Sequence, residues 1–238
     1  MNPKFLFLVF VPYFKKFDES GNVRQGFFEP NEFDLLMEHL DDPYNDIAEF
    51  GYNTGWRKSE IIHLEWRNVN FEENLIRLYP DQTKNREPRS LPLVGDIRVI
   101  IERRLEKRAF VKAWNTRRNG KRISKPEYED HMSFFVFHRE GCPVWNFDKV
   151  WRKARGQAGL LSKLFHDFRR TAARNFTRAG VGESTAMTIT GHKTNSMFKR
   201  YNIVDEVDKE NALIASQKRL AEMRLERRVR KVIQINKK

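Results

Sequence analysis

The sequence predicts a mixed α+β fold, mainly helical, with one small three-stranded antiparallel sheet. Three observations carry this. Apolar residues recur at helical spacing early in the chain, as in Phe33, Leu36, Met37 and Leu40. The period then shortens across residues 69–93, where polar turns separate short apolar runs. Beyond Phe147 the helical pattern returns, broken only around Gly156–Leu161, Gly180–Val181 and Gly191.

Phe17 to Glu29 is polar, contains glycine and reads as a loop. Pro30 lies just inside the first helix, where its missing N–H costs nothing. A second helix covers roughly Tyr44 to Tyr52 and stops at Asn53-Thr54-Gly55. A third begins near Arg57 or Lys58 and runs through Ile61, Ile62 and Leu64. Val69–Phe71, Leu75–Tyr79 and Arg89–Leu93 read as strands, joined by turns at Glu72-Glu73-Asn74 and at Pro80 to Pro88. Ile97 to Phe110 reads as helix, Lys112 to Asp130 as a basic irregular insertion, and Phe134 to Phe137 as a further strand.

The chain has 238 residues, with 45 Lys and Arg against 32 Asp and Glu, a net charge of +13. Hydrophobic residues make up 39%, including 19 Phe, enough for a core and too many for a disordered basic tail. The charge is uneven. Residues 1–50 hold 4 basic and 10 acidic side chains. Arg103–Lys125 holds ten basic residues and one Glu, Lys149–Arg178 nine and one Asp, and Gln217–Lys238 nine and two Glu. Clustered positive charge is the footprint of a polyanion. A membrane surface fits less well, because no basic stretch is paired with a strongly apolar aromatic face.

Several chemistries have little support. The single Cys142 excludes a disulfide framework and a cysteine zinc site, and fits a reducing, cytoplasmic compartment. No run approaches the length of a membrane span. Phe5–Val11 imitates a signal peptide only faintly, because Pro12-Tyr13-Phe14-Lys15-Lys16 follows and no small-residue cleavage site appears. Gly191-His192-Lys193-Thr194 lacks the upstream glycine and the Gly-Lys pair of a phosphate loop. There is no HExxH, no CxxC and no carboxylate cluster at metal spacing. Neither a cofactor nor a small-molecule substrate is expected.

Four local features remain. In Leu164–Arg174, Phe165, Phe168, Ala172 and Phe176 form an apolar stripe, while His166 and Arg169 share another face. Taken alone, that pair reads as a surface His and Arg. His192 follows the Gly191 break, nine residues before Tyr201, which by itself reads as an amphipathic helix-end residue. Arg57 stands just after a helix stop, where its guanidinium and nearby amides can face an anion. Lys84, at the tip of the hairpin, reads alone as a solvated lysine.

Together these features resemble the tyrosine recombinase, or phage integrase, family. The resemblance spans about Phe27 to Ala212. It rests on TGWRKSEIIHLEW, TKNREPRSLPL, HDFRRTAARNF, TGHKT and RYNIVDE, in that order. It implies the catalytic domain of that family and a DNA strand cutting and rejoining enzyme. Tyr201 matches the nucleophile that forms a 3′-phosphotyrosyl link. Arg57 and Arg169 match the two arginines on the phosphate, where guanidinium forks suit its oxygens. His166 and His192 match positions that donate hydrogen bonds or move protons. Lys84 matches the lysine that protonates the leaving 5′-oxygen. Storing the broken bond covalently removes the need for ATP, and fixed cationic donors on the phosphate take the place of a metal. Glu60, three residues after Arg57, is an orienting candidate. The implied partner is double-stranded DNA, engaged by a homo-oligomer, a tetramer.

The resemblance divides the chain into an N-terminal segment 1–26, a catalytic domain 27–215 and a basic helical tail 216–238. Family members usually carry a helical clamp domain first, and only about 26 residues precede the resemblance here. Weak, salt-sensitive DNA binding is therefore expected. The tail, with Ala212, Leu213, Ala215, Leu220 and Met223 along one edge, either docks on a neighbouring protomer or contacts DNA. Two other readings stay open: a type IB topoisomerase-like relaxing enzyme, and a non-catalytic DNA-binding remnant.

Overall fold

The computed structural model describes residues 26–84, 86–114, 117–118, 121–122, 127–201 and 206–235. The apolar run Phe5–Val11, most of the loop 17–29 and residues 202–205 lie outside the described residues.

Helix α1 (Pro30–Met37) opens with proline in its first turn, and Glu32 returns to the Glu29 N–H at 2.9 Å. Helix α2 (Tyr44–Thr54) is hydrophobic on the face that carries Ile47, Ala48 and Phe50, all fully buried. It ends as the sequence predicts. Gly55 is left-handed at φ 67°, and its N–H closes on the Gly51 carbonyl at 2.9 Å. Helix α3 (Lys58–Ile62) starts after a two-residue turn, with Arg57 as its N-cap.

Strands β1 (Val69–Asn70), β2 (Leu75–Leu78) and β3 (Arg89–Pro92) form the expected antiparallel sheet in the order β1-β2-β3. The register pairs Ile76 with Leu91 and Leu75 with Pro92. Ile76, Leu78 and Leu91 are buried, so one face is fixed to the core and the register cannot slip by one residue. Asn68 anchors the loop end of the hairpin, donating to the Arg77 carbonyl and to Gln82 Oε1, both at 2.7 Å.

The middle of the chain corrects three expectations. Helix α4 (Gly95–Glu106) stops four residues short of Phe110, which lies in a strand. The supposedly irregular insertion is a ribbon. Strand β4 (Ala109–Trp114) pairs antiparallel with β7 (Glu127–Met132), and β5 (Arg117–Arg118) pairs with β6 (Lys121–Arg122) nearer the tip. The charged runs Arg117-Arg118, Lys121-Arg122 and Glu127-Tyr128-Glu129-Asp130 hide the strand pattern in the sequence. Phe134–Phe137 makes a single bridge, Glu65 to Phe135, rather than a strand. The short pair β8 (His138–Arg139) and β9 (Cys142–Pro143) follows.

The C-terminal half is helical, with breaks near the expected glycines: α5 (Phe147–Gln157), α6 (Asp167–Arg178), α7 (Glu183–Thr190), α8 (Asn195–Tyr201) and α9 (Glu206–Ile235). Helix α9 runs through position 216 without interruption, and Leu213, Leu220, Met223 and Leu225 on it are exposed.

The core is aromatic. Phe168 on α6 meets Phe28 at a ring-centroid distance of 4.6 Å, Phe165 at 5.2 Å and Trp151 at 5.4 Å. Gly51 lets α2 approach this cluster, because a Cβ there would lie 2.6 Å from Phe165 Cζ. Burying one such ring stabilises the fold by about 1.5–3 kcal/mol. The α2–α6 interface positions the candidates Arg57, after the end of α2, and His166 and Arg169, at the start of α6. No described helix is long and apolar enough to cross a membrane.

Candidate active site

Two Thr-Gly helix stops build the site. Thr54-Gly55 ends α2, and Thr190-Gly191 ends α7 with Gly191 at φ 72°. Each left-handed glycine turns the chain sharply, so that Arg57 emerges two residues after Gly55 and His192 one residue after Gly191. Arg169, on α6 between them, is only 2% exposed. Its Nη1 donates to the Gly55 carbonyl at 2.8 Å and also to the Thr190 carbonyl. One guanidinium therefore satisfies the carbonyl ends of two helices, where the helix dipole is negative. Gly55 fits closely under this tie: a Cβ there would lie 3.0 Å from Ala172 Cβ and 3.2 Å from Thr190 Cγ2.

A cleft of about 580 Å³ opens beside the tie, lined by Arg57, Glu60, Thr83, Arg89, His192 and neighbouring residues. Glu60 is buried and holds two arginines. Its Oε1 accepts from Arg57 Nη1 at 2.8 Å, and its Oε2 accepts from Arg89 Nη2 at 2.7 Å. Oε2 also accepts the Arg57 backbone N–H at 3.0 Å. Burial alone would raise the Glu60 pKa. The charge of Arg89, with hydrogen bonds from Arg57 and Arg89, overcomes this and lowers it. Arg89 lies over the Trp56 ring, 4.6 Å from its centroid, and Trp56 Nε1 donates to the Ile189 carbonyl at 2.9 Å. The buried Trp56 thus backs the Arg89 guanidinium and ties it to α7.

His192 is 5% exposed. Burial first, then the charges of Arg169, Arg57, His166 and Arg89, push its pKa down from 6.5 to about 3. It is neutral at neutral pH. Its Nδ1 lies 2.7 Å from Thr190 Oγ1, which also lies 2.8 Å from the Ala186 carbonyl. The hydroxyl has one proton. When Thr190 donates to Ala186, Nδ1–H donates to Thr190 and Nε2 carries the lone pair. When Thr190 donates to Nδ1, Nε2 carries the proton. Thr190 thus decides whether Nε2 accepts or donates. His166 caps the N-terminal end of α6 and keeps an exposed edge. The protein around it removes part of its hydration and, with Arg169 and Arg170, lowers its pKa.

Two candidates remain, Lys84 and Tyr201. Lys84 is exposed in the β2–β3 connection, next to the cleft residue Thr83. Tyr201 is the last residue of α8, and its side chain lies outside the described residues. Sequence reasoning missed Arg89, which fills the cleft wall as fully as Arg57. The available signal was the second arginine of TKNREPRSLPL, at the start of β3 and aligned with an apolar strand face, where an unpaired charge would be out of place.

The Gly191 turn is under strict demand. A Cβ there would run into the Arg89 guanidinium, and the left-handed backbone disfavours any side chain. Gly191→Ala should cost about 1–3 kcal/mol in urea unfolding.

A family model described as "Phage integrase family" matches residues 26–208. The chain belongs to the phage integrase family. Among curated members, the integrase of Salmonella phage P22 is 26% identical over 193 residues, which is 78% of this chain and 46% of that protein. A XerC-like tyrosine recombinase of Caldanaerobacter subterraneus is 24% identical over 179 residues, 68% of this chain and 46% of that one. The chain thus spans about half the length of the curated phage integrase relatives it matches. The XerA recombinase structure has the same fold, at TM-score 0.59 and 16% identity over 81% of this chain and 64% of that one. A lambda integrase dimer bound to a COC′ core site matches at TM-score 0.56 and 14% identity, over 76% of this chain and 60% of that one. The mainly helical fold with a small antiparallel sheet is that of phage integrase family catalytic domains.

Proposed function

We propose that this domain breaks and rejoins DNA strands, with Tyr201 as nucleophile. The observation that carries the reading is the convergence of Arg57, Arg89 and His192, from segments far apart in sequence, on one cleft beside the buried Arg169. Such a cluster of fixed cations and donors suits a phosphodiester transition state, which gathers negative charge on its non-bridging oxygens. Family membership and a net charge of +13 support DNA as the partner.

In the proposed reaction, Tyr201 Oη attacks the scissile phosphorus and the bond to the 5′-oxygen breaks. The tyrosine proton passes to a neutral imidazole; both His166 and His192 have lowered pKa values. Arg57 and Arg169 hold the two non-bridging oxygens. Lys84, exposed in the hairpin connection, gives its proton to the leaving 5′-oxygen. A 3′-phosphotyrosyl link and a 5′-hydroxyl result, and the reverse steps with another 5′-hydroxyl complete strand exchange. No nucleotide enters this scheme, because the bond energy stays in the link, and the guanidinium groups of Arg57 and Arg169 supply the positive charge on the phosphate. Each protomer supplies one such site, and the lambda integrase tetramer bound to a Holliday junction supports a tetramer as the working assembly. The reading places the protein in the cytoplasm, with DNA.

The test is incubation with nicked duplex from the sequence flanking the gene, in a chelator and without ATP. A protein–DNA band that survives denaturation, and disappears in Tyr201→Phe, is expected. DNA binding without that band, over a panel of nick positions, would overturn the reading.

A further inference from the structure

Arg89 belongs to the cluster of cations but takes no step in the reaction above, yet it is among the most enclosed charges in the cleft. Its side chain is 7% exposed. It is held on one side by Glu60 Oε2 at 2.7 Å and on another by the Trp56 ring, and Gly191 is bare where its guanidinium passes. Its Nε is buried without a hydrogen-bond partner among the described residues. That placement costs solvation energy, so the charge needs a reason.

Charge counting supplies one. Arg57 alone against Glu60 would be a neutral pair, leaving little field for a phosphate. With Arg89 on the other carboxylate oxygen, the group Arg57–Glu60–Arg89 carries one net positive charge. Glu60 can then lock Arg57 in place without cancelling it. We propose that Arg89 is a positioning residue that neutralises Glu60, so that Glu60 orients Arg57 while the guanidinium of Arg57 stays electrostatically available to the scissile phosphate. The inference rests on the proposed function and names a residue outside its catalytic set.

Charge balance makes a prediction that simple support of the fold does not. Removing Arg89 leaves Glu60 cancelling Arg57, a sum of zero; removing the Glu60 charge as well restores one net positive charge. In single-turnover cleavage of nicked duplex at saturating DNA, Arg89→Gln should slow covalent complex formation about 10- to 100-fold. The double variant Arg89→Gln/Glu60→Gln should be faster than Arg89→Gln, a non-additivity expected only of groups in one network. Arg89→Lys, which keeps the charge, should be faster than Arg89→Gln too. Arg89→Gln as fast as wild type, or a double variant no faster than the single one, would overturn the proposal.

A second measurement does not depend on cleavage. The Glu60 carboxyl is followed by carbon NMR during a pH titration of folded protein without DNA. Its pKa should rise by about one unit or more in Arg89→Gln and stay low in Arg89→Lys. A Glu60 pKa unmoved in Arg89→Gln would also overturn the proposal, whatever the enzyme does. A wild type that forms no covalent complex would instead sink the proposed function, leaving the NMR result to decide the charge balance.

Discussion

Arg169→Met should lose about 2–5 kcal/mol of stability in urea unfolding and at least about a hundredfold in covalent complex formation. Methionine fills much of the same volume but brings no donor. The carbonyls of Gly55 and Thr190 would each lose the Nη1 bond they now share. A buried acceptor left without a partner costs about 1–3 kcal/mol. The same change frees the ends of α2 and α7 from each other, so Arg57 and His192 lose their common reference. Arg169→Lys should recover only part of the loss. A single ammonium lacks the planar fork that can serve two carbonyls and still face a phosphate. Unchanged stability in Arg169→Met would show that the two helix ends are held by packing around Ala172 alone.

That dual duty explains what could be read beforehand and what could not. The Thr-Gly stops were legible because a left-handed C-cap has a local signature, and both helices end within a residue or two of the expected place. The apolar stripe Phe165, Phe168, Ala172 predicted the buried face of α6, and all three are buried. Periodicity also placed Arg169 on a face apart from that stripe, where alone it read as a surface residue; the structure corrects this, because Arg169 is 2% exposed. Arg169 is buried because it reaches helix-end carbonyls 114 and 21 residues away in sequence. Arg89 was missed for the same reason. Its partner Glu60 lies 29 residues upstream, and no local pattern announces a pair formed across a hairpin. The ribbon of β4 and β7 was read as irregular because the charged run Lys112 to Asp130 shows no regular alternation of apolar and polar residues. Within the site, Arg57 and His192 emerge where the helix stops put them, whereas the Tyr201 side chain stands outside what is described.

The arrangement also has an electrostatic cost that bears on how it works. Arg57, Arg89 and Arg169 crowd one region, with Glu60 as the acid bonded to two of them. Such crowding strains the free protein and is relieved by an anion in the cleft. A site of this kind is organised before its substrate arrives, so little reorganisation remains for the reaction itself.

Acid should destabilise the fold well above the usual carboxylate range, and His192 is the main reason. The unfolded chain takes up a proton on this residue near pH 6.5, whereas the folded chain resists until about 3. Between those values the unfolded state binds more protons, so stability falls as pH falls; above 6.5 both states are neutral and the contribution vanishes. Each unit of pH inside the window costs about 1.4 kcal/mol for a group fully shifted. From pH 7.5 to 5.0 the loss from His192 should therefore be about 2 kcal/mol. His166 and the buried His138, whose pKa values are also lowered, act in the same direction. The groups opposing a charge on His192 are Arg169, Arg57, His166 and Arg89, from α6, the α2–α3 turn and β3. The measurement is the urea midpoint of wild type and His192→Gln at both pH values. The glutamine variant cannot titrate, so its loss between pH 7.5 and 5.0 should be clearly smaller. Equal losses in the two proteins would move the acid sensitivity to His166 and His138. Arg89→Gln removes one of the opposing charges and should shrink the wild-type loss as well, which ties the pH response of the fold to the same cluster that is proposed to hold the phosphate.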